Sequence, residues 1–198
     1  QLSALDKLHA LLYHTRLEAC KRRMWTVCVN LGLHSPLLKA VPEHYYSLEL
    51  EQRRALLSAP STAHLCKTII LENTVCTMPD CSDPNNSRYY GVVVQYEARL
   101  HADKLLRLVR SWNPGLAKSK FNFQLCPHAT SEELSGYKFN AVAPVGLATP
   151  IPIILSHKIS QLEPRMFWMG GGHPDLKLGL GVGEFVERTG ARIADATY

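Results

Sequence analysis

The spacing of hydrophobic positions changes once along the chain. Leu5, Leu8, Leu11 and Leu12 recur at helical intervals, and Ser3 and Asp6 are placed like a capping box. Residues 3–23 are therefore expected to form an amphipathic helix that ends in the basic turn Lys21-Arg22-Arg23. A weaker helical pattern over 47–57 must end by Pro60, and Pro36 and Pro42 mark the loop between the two. From Leu65 the period becomes strand-like. Residues 66–72 and 90–96 read as two strands separated by a stretch rich in Pro, Asp and Asn at 78–87, which predicts a hairpin with a long exposed loop.

Ala102, Leu105, Leu106 and Val109 mark one face of a further helix, stopped by Asn113-Pro114-Gly115. Thr130-Ser131-Glu132-Glu133-Leu134 reads as a short capped helix closed by Gly136. Short strands are expected over 151–155, 165–169 and 177–182, then a last helix over 183–189 capped by Gly190. Strands interleaved with a few helices, without a regular βαβ rhythm, favour an α+β fold with a mixed, curved sheet.

Composition narrows the class. With 198 residues, 46% hydrophobic and 20% charged, the chain can bury a sizeable core and is most simply one globular domain. The longest apolar runs are far shorter than a bilayer span, and Pro150 and Pro152 break the longest of them. The opening residues show no charged-then-apolar leader. The six cysteines form no CxxC pair or tight framework, so reduced thiols in a cytoplasmic protein are expected. A zinc site from His64, Cys66, Cys76 and Cys81 lacks the paired spacings of structural zinc. The net charge of +5 is unevenly placed: Arg99, Lys104, Arg107, Arg110, Lys118 and Lys120 face only Asp103 within one stretch. Lys104, Arg107 and Arg110 thus form a basic stripe on a predicted helix, either a solvated face or a phosphate contact.

Lys67 is the odd residue of its strand. Its neighbours in Leu65-Cys66-Lys67-Thr68-Ile69-Ile70-Leu71 suit a buried face, and an unpartnered ammonium out of water costs several kcal/mol. Such a lysine reaches solvent from an open face, pairs, or holds an anion. Two further clusters place bare backbone at turns: Asn140-Ala141-Val142-Ala143-Pro144-Val145-Gly146 and Gly170-Gly171-Gly172-His173-Pro174. Consecutive glycines let N–H groups approach a carbonyl oxygen or phosphate, and they also suit plain tight turns. No GxxxxGK[ST], GxSxG or HExxH occurs, so nucleotide hydrolysis, elbow-type serine chemistry and zincin chemistry are poorly supported.

The lysine strand, the stretch Ala141-Val142-Ala143-Pro144-Val145-Gly146-Leu147, and Gly170-Gly171-Gly172 followed by Leu176-Lys177-Leu178 together resemble the YbaK-type aminoacyl-tRNA deacylases. These are related to the editing domain inserted in bacterial prolyl-tRNA synthetases. The resemblance covers about 61–197. His64-Leu65-Cys66-Lys67-Thr68 and Phe167-Trp168-Met169-Gly170-Gly171-Gly172 look most like the free-standing eukaryotic branch. It implies a partly barrel-like sheet with flanking helices over 61–198, preceded by a helical extension over 1–60.

The resemblance also implies roles. Lys67 would hold the terminal adenosine of tRNA near its phosphate. The family's G-x-x-x-P loop, here Asn140, Ala141, Val142, Ala143 and Pro144, would gather its backbone round the aminoacyl carbonyl. Asn140 replaces the loop's first glycine; asparagine tolerates positive φ better than most residues, so the departure bears on pocket size and amino-acid choice. Gly170, Gly171, Gly172 and His173 would line the pocket. The implied activity is deacylation of mischarged tRNA, most simply tRNA(Pro) carrying alanine or cysteine, without cofactor or metal. Lys104, Arg107 and Arg110, with Lys21, Arg22 and Arg23, are expected on the tRNA backbone, and a synthetase is a further expected partner. The alternatives are a non-catalytic module of the same fold that recruits tRNA or a synthetase, and a protein that assembles through its N-terminal helix.

Overall fold

The run Val92-Val93-Val94 is fully buried, as a strand covered on both faces must be. In the computed structural model, which describes residues 3–198, β2 (Cys66–Asn73) and β3 (Tyr89–Gln95) form the expected antiparallel hairpin, with Lys67 opposite Val94. β4 (Phe123–Leu125) pairs with the outer edge of β2 at residues 71–73 only. β5 (Ile153–Ser156) and β8 (Arg192–Ala194) add in parallel beyond β3, which makes the sheet mixed. A smaller antiparallel sheet has the order β1 (Leu37–Ala40), β7 (Leu176–Gly181), β6 (Met166–Gly170). A bridge between Leu65 and Trp168 links the two sheets. They are not closed into a barrel.

The helices cover these sheets. α3 (Ala102–Ser111) buries Leu105 and Val109 against Leu71, Tyr90, Val92 and Ile154. The opposite face meets a second core, built from Val93, Leu155, Phe167 and Met169 with Met24 and Cys28 of α1 (Ala4–Asn30) and Phe185 of α6 (Val182–Thr189). A third cluster, including Val41, Tyr45 and Leu57, joins α2 (Leu50–Leu57) and the 3-10 turn Glu43–Ser47 to Leu65 and Trp168. Residues before 61 therefore contribute side chains to the same cores as residues after it.

α1 departs from its expected bounds. The Ser3–Asp6 capping box is present, but the basic turn does not end the helix, because charged side chains are compatible with helical backbone. It runs on to Asn30, and Gly32 follows at φ 66°, the left-handed conformation that glycine adopts most easily. Leu5, Leu8, Leu11 and Leu12 are exposed, and burial begins at Leu17. The packed part of α1 is its second half. Met24→Ala is expected to destabilise the protein by about 2–5 kcal/mol, the usual cost of emptying a buried methionine site, measured by denaturant unfolding.

The other helices expected from the sequence are present, and α5 (His157–Ser160) is an addition to them. α4 (His128–Ser135) starts after Pro127 without the side-chain cap that Thr130-Ser131 had suggested, and it ends at Gly136 with φ 70°. α5 is a single turn. No helix among the described residues is long and apolar enough to cross a membrane.

Candidate active site

Because β4 covers only one end of β2, the edge carrying Lys67, Thr68 and Ile69 stays open. A cavity of about 370 Å³ lies there, walled by Lys67–Ile70, Tyr46, Tyr96, Leu125, Cys126, His128, Ser131, Glu132, Tyr137, Phe139, Asn140, Val142 and Gly170. Lys67 is half-buried, with Nζ 5.6 Å from the centre of the Tyr96 ring. Among the described residues no salt bridge includes it. Thr68 Oγ1, next along the strand, is buried without a hydrogen-bond partner among the described residues. An unpaired cation on a cavity wall is the kind of unmet polar group that a bound ligand satisfies.

The opposite wall is main chain. Asn140 takes φ 62°, so this asparagine adopts the backbone that a glycine would. Its carbonyl accepts from Tyr46 Oη at 2.6 Å. Asn140 and Val142 line the cavity, whereas Ala141 and Ala143 are fully buried in the core. Pro144 turns instead toward a separate cleft. The N–H groups of Val142 and Ala143 have no acceptor among the described residues.

The three glycines act by close approach. A Cβ on Gly170 would lie 2.4 Å from the Val142 carbonyl oxygen. Gly171 N–H donates to Leu176 O at 2.9 Å and Gly172 N–H to Ala141 O at 3.0 Å. These two amides are therefore committed internally and are not open to a ligand. Only Gly170 of the three reaches the cavity wall. His173 lies on the α1 side, its ring edge-on to Tyr13 at 6.0 Å and its Nδ1 accepting from Asp175 N–H at 3.2 Å. It is not among the residues that wall the cavity.

Several wall residues had no sequence signal. Tyr46 and Tyr96 project beside Lys67, and the Arg53 guanidinium sits 5.5 Å from the Tyr46 ring and 5.6 Å from that of Tyr96. Lys177, in an alternating strand that reads as half-exposed, is 3% exposed and hydrogen-bonded to Tyr46. Burial pushes the phenol of Tyr46 well up and that of Tyr96 up, so both are neutral hydrogen-bonding groups. Burial, with a smaller contribution from Glu72, also pushes the Cys126 thiol up to about 11, which leaves it un-ionised and a poor nucleophile at neutral pH.

The basic residues divide. Lys104 is spent on Asp195 Oδ2 at 2.8 Å and the Thr197 carbonyl at 2.6 Å. Arg107 and Arg110 are exposed. Lys21 pairs with Glu18 at 2.7 Å, Arg22 is exposed, and Arg23 stacks 4.8 Å from the centre of the Tyr137 ring. All six cysteines are free.

No family model and no curated protein sequence matches the chain. Solved structures do. A candidate trans-editing enzyme for prolyl tRNA synthetase superposes with a TM-score of 0.71 at 20% identity, over 90% of this chain and 97% of that one. A hypothetical protein gives a TM-score of 0.65 at 24% identity, over 90% and 99% of the two chains. A computationally designed scaffold for presenting linear epitopes gives 0.70 at 19%, over 90% and 97%. At these identities the likeness shows a shared fold, and it supports the YbaK-like architecture expected from the sequence.

Proposed function

We propose that this chain is a trans-editing hydrolase that deacylates mischarged tRNA in the cytoplasm, with tRNA(Pro) carrying alanine or cysteine as substrate. The observation that carries this reading is Lys67, an ammonium without a carboxylate partner among the described residues, on the wall of a cavity of about 370 Å³. Clefts of this size take ligands such as an aminoacyl-nucleoside. The fold shared with a candidate trans-editing enzyme supports the same conclusion.

In this mechanism Lys67 holds the terminal nucleotide by its phosphate. The ester carbonyl lies against the wall formed by Asn140 and Val142, where the free N–H of Val142 receives the developing oxyanion. A donor of this kind is worth about 3 kcal/mol. Water adds to the carbonyl carbon, the bond to the ribose oxygen breaks, and the amino acid and tRNA 3′ end leave. An activated ester with a ribose leaving group needs positioning more than a covalent nucleophile.

Hydrolysis of a panel of labelled Ala-, Cys-, Ser-, Thr- and Pro-tRNA(Pro) tests the assignment. Alanyl and cysteinyl esters are expected to be cleaved and the prolyl ester spared. A second reading, a non-catalytic module that binds tRNA or a synthetase, rests on Asn140 standing where the resembling family has glycine. Binding of tRNA without turnover on any ester would select it. The φ of 62° at Asn140 favours the catalytic reading, since the loop keeps its path.

The tRNA body is proposed to cross the exposed Arg107 and Arg110, with Arg22 as a further phosphate contact. Arg107→Ala and Arg110→Ala are each expected to reduce the slope of log affinity against log salt by about 1. Lys104→Ala is expected to leave that slope unchanged, since Asp195 and Thr197 already occupy its ammonium. Binding titrations at several salt concentrations check both.

A further inference from the structure

The main-chain wall of the cavity is anchored by a chain of hydrogen bonds that begins at a buried lysine. Lys177 Nζ donates to Tyr46 Oη at 2.7 Å and to the Pro174 carbonyl at 2.7 Å. Tyr46 Oη in turn donates to the Asn140 carbonyl at 2.6 Å. The linked residues come from β7, the Glu43–Ser47 turn and the pocket loop, with sequence separations of 131 and 94 residues. The Tyr45 and Tyr46 rings lie 4.6 and 4.3 Å from Nζ. An apolar side chain would fill such a site at no lower stability, so the ammonium calls for a role.

Its donors and acceptors supply one. An ammonium carries donors only, so a protonated Lys177 obliges the Tyr46 oxygen to accept, and the Tyr46 hydrogen then goes to Asn140. A neutral amine has a lone pair that competes for that hydrogen. We propose that Lys177, acting through Tyr46, is a positioning residue: its proton holds the Asn140 carbonyl, and with it the Asn140–Val142 wall, in the arrangement that turnover requires. This deepens the deacylase reading above and rests on it for its kinetic consequence.

The charged and titratable groups around Lys177 come from every side. Asp175 precedes it on the turn into β7, Arg53 faces it from α2, and Tyr45, Tyr46 and Tyr96 enclose it. Asp175 is itself buried and accepts from Tyr13 of α1 at 2.6 Å. Burial lowers the Lys177 pKa to about 7, with Arg53 adding to the shift and Asp175 opposing it. The ammonium is therefore present below that pH and lost above it. Since its folded pKa lies below the unfolded value, the buried charge weakens the fold as pH falls toward 7. Lys177→Met removes that cost, so loss of activity without loss of stability separates positioning from scaffolding.

The test uses Tyr46→Phe, Lys177→Met and the double variant of the full chain. Each single change is expected to lower kcat by about tenfold, the scale of one oriented hydrogen bond, with KM within about twofold. The double variant is expected to fall no further than the worse single one. Wild-type kcat, taken relative to Tyr46→Phe, should decline through about pH 7, and the decline should be absent in Lys177→Met. A readout independent of substrate is NMR titration of the Ala141 amide nitrogen, which shares its peptide unit with the Asn140 carbonyl. It should titrate together with the Lys177 side chain in the wild type and be flat in Lys177→Met. An Ala141 signal that ignores Lys177 overturns the proposal, as do unchanged kcat values or additive losses in an active enzyme. Coupled titration with no hydrolysis of any aminoacyl-tRNA upholds the link from Lys177 to Asn140 and overturns the deacylase reading alone.

Discussion

Lys67→Ala is expected to lower kcat/KM for deacylation by about a hundredfold or more while leaving the melting temperature within about 2 °C of the wild type. The two halves of this expectation have separate causes. Among the described residues Lys67 has no salt bridge, and its one close charge contact is the Tyr96 ring at 5.6 Å, so truncation leaves no buried partner unsatisfied. In the proposed reading its contribution is realised when the substrate phosphate arrives, and a nucleotide that is displaced by about an ångström carries its ester away from the Val142 N–H. Lys67→Met keeps the aliphatic stem and removes only the charge, so it should match the alanine variant. Lys67→Arg is not expected to rescue, because a planar fork does not replace a compact ammonium. Unchanged turnover in the alanine variant would sink the assignment of Lys67.

Gly170→Ala is expected to cost about 3 kcal/mol or more in stability and to abolish turnover. Its added Cβ would meet the Val142 carbonyl oxygen at 2.4 Å, the Val142 carbonyl carbon at 3.0 Å and the Ala141 oxygen at 3.1 Å. All three are main-chain atoms, which cannot rotate aside as a side chain can. The variant must either displace the 140–142 wall or strain β6. Gly183→Ala is the control: in the first turn of α6, with nothing within 4 Å of its Cβ position, it should be neutral or stabilise by up to about 1 kcal/mol. Denaturant unfolding and the deacylation assay separate the two substitutions. A Gly170→Ala protein of wild-type stability and rate would show that the wall yields.

The legible parts of the sequence were those with local causes. Lys67 stood out because one charge interrupted a β-branched strand, and Asn140 and Gly170 because turn residues follow apolar stretches. The β2–β3 hairpin, α3 and the Gly136 and Gly190 caps follow from periodicity and from left-handed glycines. Elements whose cause lies in a partner were not legible. β1 has four residues between two prolines and exists by pairing with β7; β4 and β8 have three each and depend on β2 and β5. Lys177 sits between two leucines and reads as the solvent-facing member of an alternation until the Glu43–Ser47 turn buries it. Tyr46, within the segment expected to be an extension, reaches the pocket loop across 94 residues. No short-range pattern encodes such a contact. For Lys104 the amphipathic stripe was read correctly, but its capture by the C-terminal segment was not.

The contact between Gly170 and Val142, reinforced by the bond from Gly172 N–H to the Ala141 carbonyl at 3.0 Å, sets where the pocket can change. This clamp fixes the path of the main chain on that side, so under the proposed reading variation toward a different amino acid falls on side chains. Leu125, Cys126, His128, Ser131, Glu132 and Phe139 supply them, on the short β4 and on and beside α4. Designed libraries aimed at altered selectivity should diversify these six positions and hold the clamp constant, because a change there moves the reference against which every other contact is measured.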